Sequence, residues 1–142
     1  IPRPDDSWDI EAVSAVADAV AMSESLSHVT FVFPRDDTGV VTLDVGGTIT
    51  AFAHGHQMKN DAVKWWAGQA HGMQPAGDAV LLLSGHFHSL KIIESGRKTW
   101  IQATTSDNGS AWWTNTTGDD SAPGLTTLLV GGGGWDRIRV VR

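Results

Sequence analysis

The chain has 142 residues, 41% hydrophobic and 18% charged, with a formal net charge of −6. That is enough apolar chain for one domain with a core; no run reaches the ~20 apolar residues of a membrane span, and the lack of cysteine excludes disulfides and thiolate metal sites. The acidic balance gives no support to a nucleic-acid groove made by this chain alone, yet an acidic chain acts on a phosphate ester where a metal ion supplies the positive charge.

The chain opens Ile1-Pro2-Arg3-Pro4, with neither an initiating Met nor a secretion leader. The expectation is a processed piece or fragment in a reducing, cytoplasmic setting. Ile10, Val13, Val16, Ala17 and Val20 recur at helical spacing behind an acidic start, which predicts a helix over 8–26. Residues 28–33, rich in β-branched and aromatic side chains, read as a strand ended by Pro34. Strands follow at 40–45 and 48–53 around the turn Gly46-Gly47.

Asn60 is placed to cap a short helix over 61–70, which His71-Gly72 ends. A loop over 73–78 leads to 79–83, Ala-Val-Leu-Leu-Leu, a continuous apolar run suited to a strand buried on both faces. Strands at 90–93 and 99–103 pair across Ser95-Gly96-Arg97. A long polar loop runs over 104–124, of the kind that is functional or disordered. Two last strands, 125–130 and 135–141, flank four glycines. The fold class is therefore α/β (α+β), a βαβ unit plus antiparallel strands in a single domain over 1–142.

The βαβ unit carries the functional inference. Its strands, 48–53 and 79–83, run parallel and end at the same edge of the sheet. His54 follows the first directly, in Ala53-His54-Gly55-His56. The second runs into Ser84-Gly85-His86-Phe87-His88. Thirty-two residues of sequence separation between His54 and His86 thus become proximity at the carboxyl edge, where α/β sheets bind ligands. Four of six histidines lie in these two loops, and imidazole is the commonest neutral metal ligand. In an extended segment His86 and His88 face the same way and converge on one ion or straddle two. His56 is a ligand, a donor to a ligand or a substrate contact. His28 and His71 read as structural.

The pair His54-Gly55 and Gly85-His86-Phe87-His88, in that order around a βαβ unit, resembles the calcineurin-like metallophosphoesterases. The resemblance covers roughly residue 48 to the C-terminus. It implies a four-layer αββα sandwich holding two divalent ions, Mn, Fe or Zn, and hydrolysis of phosphate esters, nuclease-like phosphodiesterases included. It makes His54 and His86 ligands of one metal and His88 a ligand of the other. The segment after residue 104 falls where family members contact substrate, with Asn108, Trp112 and Trp113 as candidates alongside His56.

The family's earlier motifs, Asp-x-His, Gly-Asp and Gly-Asn-His-Asp, do not stand ahead of His54. They supply the carboxylates, the Asn ligand and the general acid, so no catalytic residue is expected in this chain. It resembles the C-terminal half of such an enzyme, holding at most one ion weakly, inactive alone, with its open sheet covered by the missing N-terminal half or by a second copy. Two other readings remain. A cupin-like metal enzyme would use His86, His88 and Glu94, although five residues between His88 and Glu94 is long for it. A non-catalytic module would bind metal or ligand through Trp65-Trp66, Trp112-Trp113 and the polar loop.

Overall fold

The computed structural model describes residues 8–35, 38–59, 61–107, 109, 111–118 and 122–142, and only the backbone of 112, 113 and 117. The chain divides into two units, 1–41 and 42–142.

In the first unit, α1 spans Trp8–Ala21, with Asp9 and Glu11 complementing the dipole of its first turn. It stops short of the expected Leu26. The Ser23 amide turns back to the Val20 carbonyl (3.0 Å), and the Ser23 and Ser25 hydroxyls bond each other (2.9 Å). Serines compete with the helical ladder in this way, and a separate 3-10 turn, Glu24–Leu26, follows. No α1 residue is buried, and Val13 and Val16 of the expected apolar face are exposed. Residues 28–33 are a correction: they form no strand. β-Branched side chains favour a strand only where a neighbour offers a pleated surface to pack on, and among the described residues none pairs with this segment.

The second unit is built on a five-stranded sheet in the order β1-β2-β3-β5-β4. The strands are β1 (Val40–Val45), β2 (Thr48–Ala53), β3 (Leu81–Ser84), β4 (Lys91–Ser95) and β5 (Lys98–Gln102). Gly46 and Gly47 both take positive φ (59° and 85°) in the turn between β1 and β2, the conformation a two-residue hairpin turn requires. β2 pairs β3 and β3 pairs β5 in parallel, while β4 returns antiparallel on β5 and forms an edge. The apolar run after residue 79 thus fills the middle of the sheet, with Ala79, Leu81 and Leu82 fully buried beside Ala51 and Ile101.

The crossover is α2 (Ala62–His71), so the predicted βαβ unit is present. Its cap is Asp61, whose carboxylate accepts the Lys64 amide at 2.9 Å; Asn60 lies outside the described residues. Trp66 anchors α2 by donating its indole N–H to the Ala76 carbonyl at 2.6 Å, in the 3-10 turn Pro75–Gly77.

The polar segment after β5 is not structureless: α3 (Ala111–Thr117) lies within it. β6 (Leu125–Gly131) and β7 (Gly134–Val141) then form a separate two-stranded sheet. Its turn rests on the first sheet's. Gly132 N–H donates to the Gly46 carbonyl (2.8 Å), and the Thr48 hydroxyl accepts from Gly133 N–H (3.1 Å) and donates to the Gly134 carbonyl (3.2 Å).

Candidate metal centre

The parallel register of β2 and β3 sets the site. Ala53 stands opposite Ser84, so the next residues out, His54 and Gly85, leave the sheet together. The Gly85 amide donates to the His54 carbonyl at 3.0 Å, extending the ladder one step. Gly55 adopts φ +117°, which glycine tolerates, and lets the two loops close up.

The imidazoles meet above this junction. His54 Nε2 lies 3.0 Å from His86 Nδ1, with ring centroids 4.8 Å apart. His56 completes a trio, its ring 5.4 Å from His54 and 6.1 Å from His86. The Phe87 ring stands edge-on to His86 at 4.7 Å, and the Lys91 ammonium lies 5.9 Å from the Phe87 ring centre. Partial burial is the main influence on His86, followed by the positive charges that His54, His56 and His88 carry when protonated; together they hold its pKa below 6.5.

The segment carrying His88 departs from the extended course expected of it. His86 and His88 both have positive φ (72° and 57°), so the segment is not extended and the alternation that would aim both rings one way does not apply. Among the described residues, no ring contact or hydrogen bond links His88 to the trio. Its influence on His86 is electrostatic. Of the other candidates, Asn108 lies outside the described residues, and Trp112 and Trp113 fall on the α3 backbone, their side chains likewise outside. Glu94 sits exposed on the edge strand β4.

The donor set fits one metal in part. Ligands ~2.0–2.1 Å from one ion stand roughly 2.9–3.4 Å from each other when adjacent in its coordination sphere, and 3.0 Å between His54 Nε2 and His86 Nδ1 matches that spacing. Without an ion the same geometry is a hydrogen bond in which one ring donates to the other. Among the described residues no third His, Asp or Glu completes a metal-holding group. Two residues bearing on the site escape a reading of motifs. Gln102, at the end of β5, and Ser89, after His88, are bonded to each other, and only the Gln at the end of an otherwise apolar Trp-Ile pair hinted at it.

The fold is the metallophosphoesterase-like fold seen in Vps29. Thirteen solved chains match the structure. Vps29 of Chaetomium thermophilum superposes with a TM-score of 0.52 and 14% identity over 66% of this chain and 48% of its own. A single mutant of Vps29 from Entamoeba histolytica gives 0.51 and 16% over 80% and 67%. The wild-type Entamoeba protein complexed with Zn2+ gives 0.48 and 19% over 64% and 47%. The chain thus spans about half the length of two of these proteins and two thirds of the other. No family model and no curated protein matches the sequence.

Proposed function

We propose that this chain is the histidine-bearing part of a calcineurin-like metallophosphoesterase domain that hydrolyses phosphate esters. The observation that carries the reading is the 3.0 Å approach of His54 Nε2 to His86 Nδ1 at the carboxyl edge of β2 and β3. Bound divalent ions in such sites activate water and stabilise the charge that develops on a phosphoryl oxygen.

The chain's own residues prepare that chemistry. His54 and His86 each offer a ring nitrogen to one position, and the lowered pKa of His86 keeps it neutral, as a ligand must be. The Phe87 ring packs edge-on against the His86 ring. His88 is the ligand assigned to a second ion. Carboxylates and a general acid come from outside this chain, either from an N-terminal half or from another protein. The exposed β4 residues Ile92 and Ile93 are a surface such a partner covers. The resulting site works in the cytoplasm with Mn, Fe or Zn.

The test joins metal binding to turnover. Zn2+ titrated into the 142-residue chain shifts the imidazole NMR signals of His54 and His86, and His54→Ala or His86→Ala removes the shift. A chromogenic phosphodiester with Mn2+ is not cleaved by this chain alone but is cleaved when a segment bearing Asp-x-His and Gly-Asn-His-Asp is joined ahead of it. Rapid cleavage by the isolated chain contradicts the half-site. A second reading, a non-catalytic interaction module, draws on the lack, among the described residues, of a group of three or more His, Asp or Glu able to hold a metal ion. No Zn2+ response in either ring favours it.

A further inference from the structure

The histidine loop is held at both ends. At its start, Gly85 is tied to the His54 carbonyl. At its far end, the amide of Gln102 donates from Nε2 to the Ser89 carbonyl at 2.7 Å and lies 3.1 Å from the Ser89 hydroxyl. Between these ties, His86 and His88 both hold left-handed backbone conformations, which non-glycine residues keep only where surroundings impose them.

Gln102 is fully buried, yet its Oε1 has no hydrogen-bond partner among the described residues. Flipping the amide would not help, because the oxygen would then face the Ser89 carbonyl. A leucine or methionine would bury without that unmet acceptor. Among the described residues, Gln102 supplies the side-chain donor that reaches Ser89. Its backbone is fixed as well, since Gln102 stands opposite Ser84 on β3 and Lys91 on β4.

From this geometry we infer that Gln102 is a positioning residue for the metal centre. From the end of β5 it fixes the Ser89 carbonyl, and through it the left-handed backbone of His86 and His88 that sets His86 against His54. The inference deepens the metal reading and rests on it only for the effect on metal affinity; the effect on loop order stands alone.

The experiment is 15N relaxation and Zn2+ titration on the 142-residue chain and on Gln102→Met, which keeps length but removes the donor. Expected are backbone order parameters over 86–89 falling from about 0.85 to below ~0.6, unchanged values at Leu81, Leu82 and Leu83, and at least about tenfold weaker Zn2+ binding. If Gln102→Met does not fold, Gln102→Glu carries the test. Its buried carboxyl donates to Ser89 only while protonated, so the loop is ordered near ~pH 5 and loosens near ~pH 8, beyond any change in the parent chain. Unchanged order over 86–89 in a folded Gln102→Met, or through the titration of Gln102→Glu, overturns the inference. Loss of loop order in a chain that never binds Zn2+ upholds the role of Gln102 in the loop and overturns the metal reading instead.

Discussion

A Cβ placed on Gly55 would stand 2.9 Å from the Gly85 carbonyl oxygen and 3.3 Å from the His86 Cβ. The first is backbone and cannot swing aside, and φ +117° at Gly55 is itself strained for any other residue. Gly55→Ala is therefore expected to push the two loops apart, cost about 1–3 kcal/mol of stability and break the His54–His86 contact. Urea unfolding and the imidazole signals read the two effects separately.

The three-ring arrangement predicts a ranking of histidine substitutions. His54→Ala and His86→Ala each remove one of the two nitrogens that meet and should abolish Zn2+ binding at this position. His56→Ala should weaken it by about tenfold, as for a neighbour that supports a ligand without being one. His88→Ala should have the least effect in the isolated chain. Calorimetric titration with Zn2+ gives the order, and a dominant effect of His88→Ala would place the ion elsewhere.

The pH dependence follows from His86. Burial and its histidine neighbours lower its pKa in the folded chain below 6.5. Between the two values the unfolded chain holds more protons, so stability rises with pH. The contribution of this group is present in full above pH 6.5 and is lost as pH falls through the lowered value. The ring is largely exposed, so the effect on stability is small, and the direct measurement is the His86 Cε1–H titration by NMR. Its midpoint should lie below 6.5 and move upward in His54→Ala, which removes one of the charges responsible.

The parts of this architecture that were legible in the sequence were those fixed locally. The glycine pair 46–47, the apolar run after residue 79 and the helical segment between two strands specify a βαβ unit, and right-handed parallel connection then brings His54 to His86 without further information. What was not legible depended on tertiary partners. Residues 28–33 have strand composition but no strand partner among the described residues. α3 is a seven-residue helix in which Ala111 is followed only by Trp, Thr and Asn, residues of modest helix propensity that read as loop. The left-handed backbone at His86 and His88 is not encoded by side-chain spacing, and Gln102 matters through a bond to a backbone carbonyl that no motif marks.

Lys98 ties the site-bearing sheet to the crossover that sets its register. Its ammonium donates to the Gly77 carbonyl at 2.6 Å and the Ala79 carbonyl at 2.5 Å, and lies 4.8 Å from the Trp66 ring centre. Gly77 and Ala79 are both buried, so removing the donor strands two carbonyls away from water. Lys98→Met preserves the aliphatic stem packed on Trp66 and isolates the loss of the charged donor. A destabilisation of about 1.5–3 kcal/mol is expected, the range for hydrogen bonds made by a charged group. Because Val80 N–H donates to the Ile49 carbonyl and Thr99 N–H to the Val80 carbonyl right beside these contacts, the damage should begin at the start of β3. Hydrogen exchange in Lys98→Met should accelerate at Val80 and Thr99 before it does at Gly85. Equal acceleration along the whole strand would show that Lys98 contributes to global stability without holding this end of the sheet.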